Sequence, residues 1–128
     1  MKVKSVGALA LLAGITLLFS YCDGDKSSSG VSGKPDELPG KPVYESNCSA
    51  CHGMKGEGDG PAGAALNPKP RNYAKDGFKY GSSLEEVKTT IRDGIEETAM
   101  ASYAEVLTDE QITQVAQYVK WLASQSAE

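Results

Sequence analysis

The apolar positions along the chain change character four times. Over residues 6–21 they form an almost unbroken run, interrupted only by Gly7, Gly14, Thr16 and Ser20. Residues 23–40 read DGDKSSSGVSGKPDELPG and hold almost nothing apolar. Beyond them the spacing turns helical. Pro42 suits a first-turn position, and Val43, Tyr44 and Cys48 fall near one face of a short helix predicted over 42–51. Leu84, Val87 and Ile91 mark a second helix, begun by Ser82 or Ser83 with Glu85 or Glu86 and stopped by Gly94. The third is the clearest. Thr108 precedes Gln111 by three residues, a capping-box spacing, and Asp109 and Glu110 suit the positive end of the helix dipole. Ile112, Val115, Val119 and Leu122 then line one face, with Tyr118 beside it. Glycine fills four of the eight positions of 53–60, and Pro61, Pro68 and Pro70 mark 61–81 as extended loop. No alternating strand pattern and no internal repeat is present, so the fold class expected is all-α with long loops.

The first apolar run follows Met1-Lys2-Val3-Lys4 and is about 16 residues long, short of the ~20 a membrane span needs. A basic start and a short apolar stretch predict a signal peptide over 1–21. An uncleaved anchor helix is the alternative. Cys22 ends the run and resembles the lipidation site of bacterial lipoproteins, although Tyr21 and Phe19 stand where those proteins usually carry a small and an aliphatic residue. Ordinary cleavage nearby would instead leave Cys22 as a free thiol or remove it. Residues 22–40 are too polar to fold alone and are expected to be a flexible tether. The folded domain is then 41–125. At that size apolar burial is marginal, and small domains often rely on a metal, a disulfide or a cofactor.

From Cys22 onward there are 11 basic and 17 acidic residues. Residues 55–92 carry seven basic and five acidic side chains, and residues 93–128 carry one and seven. No concentrated basic face suggests nucleic acid. Most of these charges serve as solvated surface, and a weak dipole that orients a partner is the sharper alternative.

The chemistry concentrates in Cys48-Ser49-Ala50-Cys51-His52. Zinc needs about four ligands; the domain offers two cysteines and one histidine, and adjacent Cys51 and His52 are poorly placed to share one tetrahedral ion. A thioredoxin-like redox pair is favoured by a βαβ setting, which this chain lacks. Haem attachment uses all three residues: in C-x-x-C-H the thiols add to the two vinyl groups, and the histidine reaches the iron. His52 is the only histidine, so a second histidine ligand is not available within the chain. Of the methionines, Met1 goes with the signal. Met54 is two residues from His52, a span of at most ~7 Å, too short to reach the other face of a porphyrin. Met100 lies 48 residues beyond His52 in a loop between helices and is the expected sixth ligand. Its bland alternative is a gap-filling core side chain. Without Met100 the iron would be five-coordinate or bound by a lysine or tyrosine.

On these motifs the stretch from about Gly40 to Leu122 resembles the class I monohaem c-type cytochromes. The resemblance implies three to four short helices and long loops wrapped round one covalent haem c, attached at Cys48 and Cys51. It implies His52 and Met100 as axial iron ligands. It pairs Gly60-Pro61 with the family's Gly-Pro, whose proline carbonyl accepts the proximal histidine's outer N–H, so Pro61 is expected to orient His52. Gly94, Met100, Tyr103, Leu107 and Thr108 match the distal stretch, with Ala101 where proline is common. It implies that Val43 and Tyr44 pack against Tyr118 and Leu122, and it leaves Arg71, Tyr73 and Tyr80 near the propionates. Trp121 is expected to be helix packing rather than an electron relay.

The function so implied is that of an electron carrier rather than an enzyme. It would pass single electrons between redox partner proteins by transient docking at the exposed haem edge. The expected setting is the periplasmic side of a bacterial membrane, held there by a lipid anchor on Cys22. A small-ligand sensor or catalytic domain with a labile sixth ligand, and a fixed subunit of a larger redox enzyme, are the alternatives.

Overall fold

The computed structural model describes residues 34–125. The expected signal peptide over 1–21, Cys22 and most of the tether lie outside them. The described part carries a 3-10 turn at Pro35–Glu37 and five helices: α1 Gly40–Asn47, α2 Ser49–His52, α3 Tyr73–Asp76, α4 Leu84–Asp93 and α5 Asp109–Ser124. No strand occurs among the described residues. α2 and α3 are single turns, so the three longer helices match the sequence expectation in number.

The order at the start of the domain differs from that expectation. Within the stretch assigned to the tether, the 3-10 turn precedes Leu38, which packs against the core. An ion pair from Lys41 to Asp36 adds a surface contact there. α1 begins at Gly40, two residues before Pro42, and pauses at Cys48, whose φ of −118° separates it from α2.

The reason for the early start is packing rather than propensity. At Gly40 a Cβ would lie 2.0 Å from the Gln114 carbonyl oxygen and 2.9 Å from Tyr118 Cβ. The backbone of α1 therefore meets α5 with no side chain between them. Tyr44, one turn on, is fully buried, and its ring meets Tyr118 at 5.3 Å and 56°, a tilted arrangement favoured by ring quadrupoles. Its hydroxyl donates to the Gly53 carbonyl at 2.7 Å, which satisfies a buried polar group. Trp121 stacks on Tyr118 at 5.5 Å and is half-buried, a packing role.

α4 and α5 form as their caps dictate. Ser83 with Glu86, and Thr108 with Gln111, each close a complete capping box. Gly94 ends α4 at φ +74°. α5 buries Ile112, Val115, Ala116, Tyr118, Val119 and Leu122, and packs against both α1 and α4, which adds Val87 and Ile91. α3 falls inside the expected loop 61–81. Asn72 caps it by accepting from the amides of Ala74 at 3.0 Å and Lys75 at 2.9 Å, so a local side-chain cap supplies what the weak periodicity did not.

Gly40→Ala tests the crossing. Helix propensity alone favours alanine by up to ~1 kcal/mol. The clash with Gln114 should instead destabilise the domain by roughly 1–3 kcal/mol, read as a lower urea midpoint with an unchanged slope.

Candidate haem site

One cleft of about 270 Å³ gathers most of the chemistry-bearing residues. α2 supplies Cys51 and His52, and Cys48 lies at its first turn; all three line the cleft. The turn is held by His52 N–H donating to the Cys48 carbonyl at 2.9 Å and Gly53 N–H to the Ser49 carbonyl at 2.8 Å. Gly53 then leaves the helix at φ +77°, with no room for a Cβ beside Asp59. The two cysteines are free thiols, not joined to each other.

Met100 comes from the loop between α4 and α5 and lines the same cleft. That loop is laced by hydrogen bonds. The Ile95 amide donates to the Met100 carbonyl at 2.9 Å, the Met100 amide to Thr98 Oγ1 at 3.1 Å, and Thr98 Oγ1 to the Ile95 carbonyl at 2.8 Å. A Cβ on Gly94 would stand 2.6 Å from the Met100 carbonyl, so the left-handed glycine brings Met100 back against the end of α4. Tyr103 ties the loop to α1 by donating to the Asn47 carbonyl at 2.8 Å.

Leu66, Val87, Ile91, Ile95 and Val119 supply apolar walls. Burial pushes the Cys48 thiol up to about 11, with Cys51 adding to it, and pushes His52 below its ordinary value against a hydrogen bond with the Arg71 backbone. The site thus favours a neutral imidazole, the form that ligates metals.

Other expected residues are placed differently. Pro61 is exposed and does not line the cleft. His52 Nδ1 faces the Tyr73 hydroxyl at 2.9 Å, where the resemblance implied the Pro61 carbonyl. Met54 is 57% exposed and away from the cleft lining. Arg71 lines the cleft, but its guanidinium donates to the carbonyls of Gly77 at 3.0 Å and Asp76 at 2.6 Å. Tyr73 and Tyr80 are cleft residues. Asn47, Phe78 and Thr98 also line the cleft. They were not singled out from the sequence, because none stands in a motif and their roles arise from tertiary packing.

The donor set fits a haem better than a bare ion. Among the described residues no three His, Cys, Asp or Glu side chains converge on a metal position. Two free thiols and a neutral imidazole instead share an apolar cleft with a methionine sulfur, a set suited to thioether attachment and a soft axial ligand.

Residues 35–119 match the family described as cytochrome C oxidase, cbb3-type, subunit III. The chain belongs to that family. It is 32% identical over 96 residues to a cbb3-type cytochrome c oxidase subunit CcoP of Cereibacter sphaeroides, across 67% of this chain and 30% of that protein. It also superposes with a TM-score of 0.62 and 32% identity on a chain of a reducing HAO-like protein complex of Kuenenia stuttgartiensis, covering 73% of this chain and 48% of that one. The chain therefore spans less than a third of the curated relative and about half of the structural one. The all-α architecture is the cytochrome c fold, and this domain is a c-type cytochrome domain whose chemistry is haem-based electron transfer.

Thr98→Val removes both hydroxyl bonds of the Met100 loop at nearly constant shape. It should cost about 1–2 kcal/mol, with the Met100 amide exchanging faster in hydrogen-exchange measurements while amides in the middle of α5 change only with global stability.

Proposed function

We propose that the chain is a one-electron carrier domain holding a single haem c, rather than an enzyme. Cys48 and Cys51 would hold the haem as thioethers, and His52 and Met100 would ligate its iron. The observation that carries this reading is that Met100, 48 residues beyond His52, lines the same apolar cleft as Cys48, Cys51 and His52. When bound there, the haem would supply a metal centre that exchanges single electrons without a vacant coordination position. The chain's own residues then have distinct tasks. The apolar walls exclude water, which keeps reorganisation small. The Met100 sulfur is a soft donor that favours the reduced metal and raises its potential. The laced loop from Gly94 to Tyr103 holds that sulfur in place.

Residues 1–21 would direct export and Cys22 would carry a lipid anchor, placing the domain on the periplasmic side of a bacterial membrane. The remaining tether would let it reach its redox partners, which dock weakly at the cleft mouth. No described helix is long and apolar enough to cross a membrane, so attachment would come from outside residues 34–125. A second reading has its own support. Both relatives are parts of larger assemblies by name, an oxidase subunit and a protein complex, so the domain would serve as a fixed electron-transfer subunit rather than a mobile shuttle.

Ferric and ferrous visible spectra of the holoprotein test the site. The ferrous form should be sharp and low-spin, and a weak far-red ferric band should vanish in Met100→Ala. A wild type that is already high-spin and unaffected by the substitution would mean an open iron face and turn the function towards small-ligand binding. Replacing Cys48 and Cys51 together by serine should let acidified organic solvent extract the haem, which the wild type retains.

A further inference from the structure

We propose that Tyr73 is the positioning residue for His52, orienting its ring and setting the electron richness of its imidazole. This deepens the proposed function and rests on its assignment of His52 as an iron ligand. The hydroxyl of Tyr73 lies 2.9 Å from His52 Nδ1, within hydrogen-bond range. The two rings also stack, with centroids 5.2 Å apart and planes inclined by 13°. One side chain thus fixes both the tilt of the imidazole and the direction of one of its nitrogens.

Tyr73 is itself clamped. Its amide donates to the Gly56 carbonyl at 2.8 Å, and its ring stacks on Phe78 at 5.7 Å and 24°. At Gly56 a Cβ would come within 2.6 Å of the Tyr73 ring, so the glycine loop presses directly on the aromatic face. Asn72, the residue before, caps α3 and fixes the turn that presents the phenol. Pro61 shows no such engagement with the cleft. The Arg71 backbone also approaches His52, but it offers a backbone contact that no side-chain change at 73 removes.

The chemical consequence follows from the two ring nitrogens. Nδ1 faces the Tyr73 hydroxyl, so Nε2 is the nitrogen this reading gives to the metal. With Nε2 coordinated, Nδ1 carries the proton and donates to the Tyr73 oxygen. An acceptor on Nδ1–H makes the imidazole a stronger donor. A stronger donor favours the oxidised metal and lowers its potential. Tyr73 therefore offsets part of the upward pull of a methionine ligand.

The test uses the holoprotein with Tyr73→Phe, which keeps the ring stack and deletes the hydroxyl. Ile112→Val serves as a packing control, because Ile112 is buried in the core and does not line the cleft. Two readouts are taken: the midpoint potential by spectroelectrochemical titration, and exchange of the His52 Nδ1 proton in the hyperfine-shifted proton NMR spectrum. Tyr73→Phe should raise the midpoint potential and accelerate that exchange several-fold, with the far-red ferric band retained. Ile112→Val should lower the melting temperature and leave both readouts at wild-type values. The proposal is overturned if Tyr73→Phe matches the wild type in both readouts, or if Ile112→Val moves them equally. If the wild-type spectrum lacks iron-shifted His52 ring resonances, the ligand assignment itself fails, and the role of Tyr73 falls with it.

Discussion

The structure depends on a contact between two backbones. At Gly40 the first helix touches the carbonyl of Gln114 on the last, with no side chain to hold them apart. That contact sets the depth at which Tyr44 is buried against Tyr118. Tyr44 then passes the constraint on by donating to the Gly53 carbonyl, the residue directly after His52. The position of the attachment motif is thus fixed from the far side of the core. A helix crossing between chain ends and a ligand-bearing turn are mechanically one unit.

The apolar side chains of the domain serve two surfaces at once. Val87, Ile91 and Val119 belong to the buried core and also line the cleft. Protein alone leaves them only 4%, 7% and 4% exposed, so the cleft floor is the core itself. Binding and folding therefore share the same side chains, and a ligand that binds only the folded form stabilises it by mass action. The surface ion pairs, such as Arg92 with Asp109, are exposed and add little.

Much of this was legible in the sequence, and for local reasons. The capping boxes at Ser83 and Thr108, the apolar face of α5 and the Cys48-Cys51-His52 spacing are each decided by a few neighbouring residues. Met100 could be singled out because the chain has few methionines and only one was far enough along. What escaped was set by distant packing. The early start of α1 needs Gln114, 74 positions away from Gly40. The docking of Leu38 inside an otherwise polar stretch needs the core it rests on. The partner of His52 Nδ1 was read as Pro61 from a motif, whereas the structure brings Tyr73 there through α3. That turn's only sequence signal was Asn72 as a cap ahead of an aromatic residue.

The Met100 loop carries a consequence of a different kind. Ala101 follows the methionine, and the segment is closed by three hydrogen bonds, two of them through the Thr98 hydroxyl, rather than by a proline ring. A proline restricts the chain in every state. Hydrogen bonds are each worth only about 1 kcal/mol net and open one at a time in local excursions. The two walls of the cleft are therefore held by different means: the His52 wall through Tyr44, whose hydroxyl reaches from the buried core to Gly53, and the Met100 wall by hydrogen bonds within its own loop and by Tyr103.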